Sequence, residues 1–305
     1  MGRWLMGLWL LLAAAQAVAG GRIEVMAINM AALGERPRMV RIYLPPGYDQ
    51  SQQRYPVLYM HDGQFVFTGV TFNNLGADRI LDQLIADARL RPLLVVAIDN
   101  GEARWDEYSP VVNRQMSRWV GPGRTDEAEG GEGSAYLRFV ANQLKPKIDQ
   151  RYRTLTDAAN TGIGGASMGG VISLYGLLDH PATFGKVLAL SPAVWFSEGG
   201  GGWLSDNDLL KRLAAPGSWR QPQQRIYLDI GTREWQDGRP PEGLGRDWPA
   251  IYLEGAKAAA AALTRAGVAD EQLKLVIDEG ADHNEAAWAA RFGAALIWLY
   301  GPPSP

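Results

Sequence analysis

The sequence contains no cysteine and only three histidines, and both scarcities limit the chemistry available to it. Without cysteine there is no disulfide framework. His61, His180 and His283 are scattered along the chain and form no metal-ligand cluster, so we expect no metal. The Gly-rich stretch 162–167 lacks the G-x-G-x-x-G spacing of a dinucleotide site, so we expect no cofactor either.

The chain also lacks an excess of positive charge. Its net charge is −3, and its pI is about 5.7. No basic face is therefore expected, and nucleic acid is not a predicted partner. Hydrophobic residues make up 47% of the chain, which is typical of a globular protein and not of a disordered one.

The N-terminus has the pattern of a secretory signal peptide. Arg3 precedes the apolar run 4–15, and the small residues 17–19 (A-V-A) form a cleavage site. We expect residues 1–19 to be removed after Ala19, which leaves residues 20–305 as a single domain in the periplasm or outside the cell. The apolar run is too short to favour a membrane span, so we expect no stable membrane insertion after cleavage.

Short apolar runs typical of buried strands alternate with segments of helical periodicity. Two alternating segments at the start predict a pair of antiparallel strands. The pattern as a whole predicts an α/β fold with a mostly parallel central sheet. The predicted strands are 22–26, 39–44, 55–60, 93–98, the run before Ser167, 187–190, 225–230 and 273–277; the predicted helices are 77–88, 134–152, 171–178, 206–213, 251–266 and 285–299. The Gly-rich polar stretch 121–133 is predicted to be a loop.

The motif around Ser167 is the most informative one in the sequence. Residues 165–169 read G-A-S-M-G, with Ser167 at the centre and a helix-compatible run directly after it. A tight turn from strand to helix needs glycine two positions before and after the serine, because the neighbouring backbone passes where a Cβ would lie. This pattern predicts the nucleophile elbow of an α/β-hydrolase, with the Ser167 hydroxyl exposed at the sheet edge.

A serine nucleophile needs a base, and the base needs a carboxylate that fixes its orientation. In α/β-hydrolases these residues follow in the order serine, acid, histidine. His61 precedes Ser167, and His180 ends the elbow helix without an intervening strand. His283 lies beyond the last strand and is therefore the predicted base.

The acid should follow the strand 225–230, at the carboxyl edge of the sheet. Glu234 is the nearest candidate. Asp237 is an alternative if the turn is longer, and Glu254 is a third candidate near the start of the Ala-rich helix.

Two backbone N–H groups are needed to stabilise the oxyanion of the tetrahedral intermediate. One is expected from Met168, the residue after the nucleophile. The other is expected from the loop after the third strand, where Gly63 permits a sharp turn and Gln64 follows.

Four segments in this order resemble the Putative esterase family of α/β-hydrolases, which includes enterochelin esterases, feruloyl esterases, S-formylglutathione hydrolase and the antigen 85 mycolyltransferases. The resemblance covers residues 23 to 300 and implies an α/β-hydrolase fold with helices on both faces of the sheet. It also implies Ser167 as nucleophile, His283 as base, and Gln64 and Met168 as oxyanion donors. The segments are 61–64 (H-D-G-Q), 165–170 (G-A-S-M-G-G), 231–234 (G-T-R-E) and 282–285 (D-H-N-E).

The resemblance further implies a carboxylate at Glu234, where feruloyl esterases of the family carry aspartate. Mycolyltransferases instead resemble the chain at Leu253 and Glu254, which keeps Glu254 open. Residues 106–110 resemble a segment that borders the site in the family. The substrate-binding candidates are His61, Asp62, Arg104 and Tyr108, with His61 expected mainly to pack beside the oxyanion loop.

The chain departs from a tight hydrolase loop at 235–249, where an irregular insertion is predicted. Together with the glycine run 199–202, this insertion brings several tryptophans that either line a cleft for an aromatic acyl group or simply pack in the core. The tryptophans are Trp195, Trp203, Trp235 and Trp248.

These observations predict a secreted or periplasmic serine esterase acting on a small-molecule ester, such as a siderophore, feruloyl or acetyl ester. Two alternatives remain: an acyltransferase that uses the same residues, and a catalytically silent binding protein of the same fold. The sequence does not determine the substrate or the oligomeric state.

Overall fold

The architecture is that of a twisted sheet between two layers of helices. A computed structural model describes residues 20–115, 128–200, 202–217, 221–236 and 247–301. The predicted signal peptide, most of the predicted loop 121–133 and most of the insertion 235–249 lie outside these residues, as does Asp237.

Eight strands form the central sheet, and the predicted mostly parallel arrangement is confirmed. The strands are β1 (Arg22–Met30), β2 (Arg36–Leu44), β3 (Val57–His61), β4 (Leu94–Ile98), β7 (Thr161–Ala166), β8 (Lys186–Leu190), β9 (Arg225–Gly231) and β10 (Leu273–Asp278), while β5 (Val112–Asn113) and β6 (Glu129–Gly130) form a separate ladder. β1 pairs antiparallel with β2, β2 pairs antiparallel with β4, and all other neighbours in the central sheet are parallel. The spatial order is β1-β2-β4-β3-β7-β8-β9-β10.

The helices occupy both faces of the sheet, as predicted. On one face, α1 and α8 pack against each other and against a core that includes Leu81, Phe292 and Leu296. On the other face, α3, α5, α6 and α7 cover the larger core cluster. The helices are α1 (Ala77–Ala86), α2 (Arg104–Glu107), α3 (Gly133–Phe139), α4 (Lys145–Arg151), α5 (Met168–Asp179), α6 (Asp208–Ala214), α7 (Trp248–Arg265) and α8 (Glu285–Tyr300).

The predicted helix 134–152 differs in detail, because a π turn at Val140–Leu144 separates α3 from α4. Pro146 follows this turn and has no N–H to donate to the preceding turn, so the regular hydrogen-bond ladder is interrupted there. The expectation of an entirely irregular segment at 121–133 was also wrong at its end, since residues 129–130 pair with 112–113.

Helix α7 begins earlier than predicted, at Trp248 instead of residue 251. The side chain of Asp247 accepts a hydrogen bond from Ala250 N, and Pro249 lies in the first turn. Both features are typical of a helix N-terminus. Among the described residues, no helix is both long enough and apolar enough to cross a bilayer.

Candidate active site

Ser167 lies at the turn between β7 and α5, in a conformation rarely adopted by residues other than glycine. Its φ is 57° and its ψ is −119°. A Cβ added at Gly165 would lie 3.0 Å from Gly169 Cα and 3.1 Å from His61 Cβ. The close approach of these residues explains the glycine spacing, and the strained backbone is stabilised by the surrounding packing.

Hydrogen bonds fix the turn on both sides. Ser167 N donates to Leu190 O at the end of β8, and Ser167 O accepts from Ala193 N and from Gly170 N in α5. Ser167 itself is partly exposed, whereas Met168 is buried. The turn therefore presents the serine at the sheet edge with its backbone anchored to the neighbouring strand.

Glu234 and His283 are brought together by the loops that follow the adjacent strands β9 and β10. Gly231 and Asp278 are register partners at the ends of these strands. Arg233 N then donates to Ala281 O, and a Cβ at Gly231 would lie only 2.2 Å from that oxygen. The glycine permits this close contact between the two loops.

The His283 ring is hydrogen-bonded to Glu234, with Nδ1 2.5 Å from Oε2. Both side chains are almost completely buried, at 2% and 0% exposure. The other carboxylate oxygen, Oε1, accepts hydrogen bonds from Ser191 Oγ at 2.6 Å and Gly231 N at 2.7 Å. An ionised carboxylate only accepts hydrogen bonds, so the Nδ1 of His283 carries the proton and Nε2 remains available as an acceptor.

Three aromatic side chains enclose the imidazole. Trp235 stacks on it with ring centroids 4.4 Å apart and an interplanar angle of 25°. Tyr252 and Trp288 meet it edge-on, at 4.8 and 5.0 Å. This enclosure limits rotation of the ring and excludes water from most of its surface.

Tyr252 packs against the histidine and lies near the serine. Burial raises the pKa of Tyr252, and interactions of its hydroxyl group with Trp195, Trp235 and Ser167 offset part of that rise. The hydroxyl group of Tyr252 is therefore on the side of Ser167, while its ring meets the imidazole of His283 edge-on.

The loop after β3 is held by side-chain hydrogen bonds. Gly63 packs against β4, where a Cβ would lie 2.7 Å from the carbonyl carbons of Ala97 and Ile98. The Gln64 side-chain amide donates to Asn100 Oδ1 at 2.7 Å and its oxygen accepts from Asn100 N at 3.0 Å. Gln64 lies in a short 3₁₀ turn, Gly63–Phe65, and Met168 is the first residue of α5. Backbone N–H groups at the start of a helical segment have no acceptor within that segment.

The sequence matches the family described as Putative esterase over residues 31–299. This chain belongs to that esterase family. The predicted family and the α/β-hydrolase fold are thereby confirmed, and the activity of the family is the hydrolysis of esters.

The chain matches nearly the whole length of some similar proteins and only part of others. The uncharacterized protein YbbA of Bacillus subtilis is 29% identical over 266 residues, which are 87% of this chain and 93% of YbbA. The iron(III) salmochelin esterase of Escherichia coli is 29% identical over 220 residues, 68% of this chain and 45% of that enzyme. This esterase therefore spans less than half of the salmochelin esterase. A solved ferulic acid esterase superimposes with a TM-score of 0.65 at 17% identity, covering 92% of this chain and 98% of that one.

The other acid candidates are placed differently in the esterase. Glu254 is exposed on α7, whereas Glu234 is buried against His283. Asp237 lies outside the described residues. Among the two described candidates, only Glu234 contacts the imidazole.

The four substrate-binding candidates lie close together beside the loop after β3. Arg104 donates to both oxygens of Asp62, at 2.7 and 2.8 Å, and Tyr108 accepts from Asp62 N. Burial raises the pKa of Asp62, but the charge and hydrogen bonds of Arg104 outweigh this and hold the pKa below its ordinary value. His61 and Tyr108 are 1% and 0% exposed, which favours packing over substrate contact; Asp62 and Arg104 are partly exposed.

The four tryptophans that were predicted either to line a cleft or to pack in the core do not all behave alike. Trp195 and Trp248 are buried and pack edge-to-face at 5.4 Å, so they belong to the core. Trp203 is partly exposed and packs near Gly255 on α7. Trp235 is partly exposed and stacks on His283, which places it at the site.

Sequence reasoning missed several residues of the site. Ser191 directly follows strand β8, and its position at the carboxyl edge of the sheet was an available signal. Arg291 is the only charged residue of α8 after its first position, and a lone charge on an apolar helix indicates a buried partner. Tyr252 and Trp288 gave no comparable signal, because aromatic residues on helices usually belong to the core. Asn100, which is hydrogen-bonded to Gln64 in the loop after β3, was also missed.

Proposed function

We propose that this chain is a serine esterase in which Ser167 is the nucleophile, His283 the general base and Glu234 the residue that orients the base. The observation that carries the proposal is the buried, hydrogen-bonded Glu234–His283 pair, together with the strained turn that presents Ser167 at the carboxyl edge of the same sheet. Such a pair fixes the tautomer of the imidazole and stabilises the imidazolium formed during the reaction.

In the first half of the reaction, the Ser167 hydroxyl oxygen attacks the ester carbonyl carbon while its proton passes to Nε2 of His283. The tetrahedral intermediate collapses, the bond to the alcohol oxygen breaks, and His283 returns the proton to the leaving alcohol. In the second half, the oxygen of a water molecule attacks the acyl carbonyl carbon while Nε2 of His283 takes a proton from that water. The second tetrahedral intermediate collapses, the bond to Ser167 Oγ breaks, and His283 returns the proton to Oγ, which releases the carboxylic acid and restores Ser167.

The negative oxygen of each tetrahedral intermediate is stabilised by the N–H groups of Gln64 and Met168. The support for this assignment is their position at helical N-termini on the two loops that flank Ser167. The Gln64–Asn100 hydrogen bonds hold the first loop rigid, so little reorganisation accompanies the reaction.

The proposed substrate is a small-molecule carboxylic ester. The names of the related proteins, salmochelin esterase and ferulic acid esterase, favour siderophore and hydroxycinnamoyl esters for the first assays. We also propose that residues 1–19 are cleaved after Ala19 and that residues 20–305 act as a single domain in the periplasm or outside the cell. N-terminal sequencing of the purified mature protein tests the cleavage site; Met1 retained at the N-terminus would contradict it.

The activity is tested with p-nitrophenyl acetate and with an active-site-directed fluorophosphonate. We expect the parent protein to hydrolyse the ester and to gain one phosphonyl group, whereas Ser167→Ala does neither. Ser51→Ala, which replaces a serine in the segment between β2 and β3, is the matched control and should behave like the parent. Equal hydrolysis by Ser167→Ala and the parent would disprove the assignment.

A panel comprising a catecholate siderophore ester, a feruloyl sugar and a simple acetyl ester then ranks the substrates by kcat/KM. Adding an alcohol acceptor to the same assay separates hydrolysis from acyl transfer, because a transferase would form a new ester in place of the free acid.

A further inference from the structure

A second serine, Ser191, contacts the carboxylate that holds the base. Its hydroxyl lies 2.6 Å from Glu234 Oε1 and is completely buried. Oε2, the other oxygen of Glu234, contacts His283. The two carboxylate oxygens therefore face different partners, and Ser191 supplies the side-chain partner of the oxygen that does not contact the base, next to the backbone N–H of Gly231.

The direction of the Ser191–Glu234 hydrogen bond follows from the other partners of Ser191. Its oxygen accepts from Trp288 Nε1 at 3.0 Å and from Arg291 Nη2 at 3.2 Å. An indole N–H and a guanidinium can only donate. Both lone pairs of the hydroxyl are thus used, and its proton is directed at Glu234.

Arg291 places a buried positive charge beside Ser191 and Glu234. Its side chain is 5% exposed, with Nε 3.0 Å from Asp229 Oδ2 and Nη1 3.1 Å from Asp278 Oδ2. Burial raises the pKa of Asp229 to about 6, although the charge of Arg291 acts in the opposite direction. Arg291 is accordingly held in one orientation by two carboxylates while it contacts Ser191.

The backbone at Ser191 is also unusual. Its φ of 42° lies in the left-handed region, and its N–H is shared between Asp229 O and Asp229 Oδ1 at 3.0 and 3.1 Å. A non-glycine residue in this region is strained and persists where its surroundings require it. Here the strain directs a buried hydroxyl at Glu234.

We propose that Ser191 and Arg291 are positioning residues, which hold Glu234 ionised and aimed at His283 through a hydrogen-bond chain of fixed direction. The inference rests on the proposed function, because it assigns these residues a part in the action of Glu234. Neither residue touches the reacting atoms; both act through the carboxylate.

The charge of Arg291 gives the proposal a consequence for pH dependence. Among the residues that the structure describes, the charged and titratable groups around the Glu234–His283 pair are Arg291 on α8, Asp229 on β9, Asp278 at the end of β10, Asp282 beside His283 and Tyr252 on α7. Arg291 is the only cation in this set. Its removal leaves the carboxylates to favour the protonated imidazole, so the acid limb of the kcat/KM profile should move to higher pH.

The test compares Arg291→Gln, Arg291→Lys and Ser191→Ala with the parent, using p-nitrophenyl acetate from about pH 5 to 9. We expect Ser191→Ala and Arg291→Gln to lower kcat by about 10-fold or more with little change in KM. The acid limb should rise by about 0.5 to 1 pH unit in Arg291→Gln and stay near the parent position in Arg291→Lys, which keeps the charge.

Arg291→Gln also leaves Asp229 buried without its cation, which threatens folding. The double variant Arg291→Gln/Asp229→Asn removes both charges of that pair and keeps an amide able to bond Ser191 N. It should fold and show the same loss of kcat. An unchanged kcat in the folded variants, or a lower kcat with an unmoved acid limb in Arg291→Gln, would overturn the proposal.

These outcomes are separable from failure of the proposed function. If Ser167→Ala keeps full activity, the esterase mechanism itself is wrong. If Ser167→Ala is inactive while Ser191→Ala and Arg291→Gln match the parent, only the positioning role is wrong.

Discussion

His61 ends strand β3 and His283 follows strand β10, at the same edge of the sheet, and both residues are buried. Each ring makes a hydrogen bond through Nδ1, and each is surrounded by aromatic side chains. They differ in one partner. His61 contacts the neutral hydroxyl of Tyr136, and His283 contacts the carboxylate of Glu234.

This difference determines what each imidazole can do. Burial lowers the pKa of His61 to about 3, with the nearby charge of Asp62 too weak to compensate. Its Nε2 is buried and makes no hydrogen bond within the described part of the chain. A neutral ring of this kind fills space beneath Gly165 and Gly169, whereas a ring paired with a carboxylate can accept a proton during a reaction.

The strongest test of the difference between His61 and His283 removes the charge of Glu234, the residue that contacts His283. Glu234→Gln should lower kcat by about 10³ to 10⁴-fold, because an amide no longer selects the required tautomer or stabilises the imidazolium. Steady-state kinetics with p-nitrophenyl acetate measures the loss. Glu254→Gln, which changes an exposed carboxylate on α7, is the control and should retain the parental kcat; equal losses in the two variants would contradict the assignment.

A smaller effect on activity is expected when the first histidine is removed. His61→Ala should lower the free energy of unfolding by about 2 to 4 kcal/mol, since a buried ring in contact with the elbow is lost. The kcat per active site, determined by titration with a fluorophosphonate, should change less than about 10-fold. A loss of kcat comparable with that of Glu234→Gln would give His61 a direct part in catalysis.

The partner of His61 can be changed alone. Tyr136→Phe leaves the buried imidazole without its hydrogen bond and should lower the free energy of unfolding by about 1 to 3 kcal/mol. Urea denaturation measures this loss. Tyr152→Phe is the matched control, since its hydroxyl contacts the partly exposed Glu24 and its removal should cost less than about 1 kcal/mol. Equal losses of unfolding free energy in Tyr136→Phe and Tyr152→Phe would show that the buried His61–Tyr136 contact stabilises the fold no more than the partly exposed one.

A pH dependence of stability is also expected from His61. Between its ordinary pKa of 6.5 and its folded pKa of about 3, the unfolded chain binds a proton that the folded protein does not. Stability therefore falls as the pH is lowered through this window, by at most about 1.4 kcal/mol per pH unit from this group.

Asp229 acts in the opposite direction. Its pKa is raised from 3.8 to about 6, so the folded protein binds the extra proton between these values and is stabilised by acid there. The comparison of the parent with His61→Gln isolates the histidine, because Asp229 is the same in both. Denaturation curves from pH 7 to about pH 5 should show a shallower pH slope in His61→Gln; identical slopes would mean that His61 does not remain neutral in the folded protein.

The loops at the carboxyl edge illustrate what sequence patterns can predict. Glu234 and His283 follow strands that are consecutive in the last part of the chain, and consecutive strands joined by one helix usually lie side by side. The proximity of the two loops was therefore predictable from strand order alone. Their roles in catalysis stay predictions, to be tested by the variants above.

The network behind Glu234 was not predictable in the same way. Ser191 and Arg291 are 100 residues apart, and no local pattern connects a serine after β8 with an arginine on α8. The insertion and the tryptophans were equally ambiguous, because an aromatic side chain has the same hydropathy whether it packs in the core, as Trp195 does, or stacks on His283, as Trp235 does.

By itself, the sequence determined the alternation of strands and helices, the family, and the tight turn at Ser167, because periodicity and glycine spacing are local properties of the chain. Only the tertiary structure decided that Glu234, and not the exposed Glu254, contacts His283, and that the Nδ1 of His61 contacts the neutral hydroxyl of Tyr136. That distinction depends on burial and on partners contributed by other strands and helices, and both arise only when the sheet assembles.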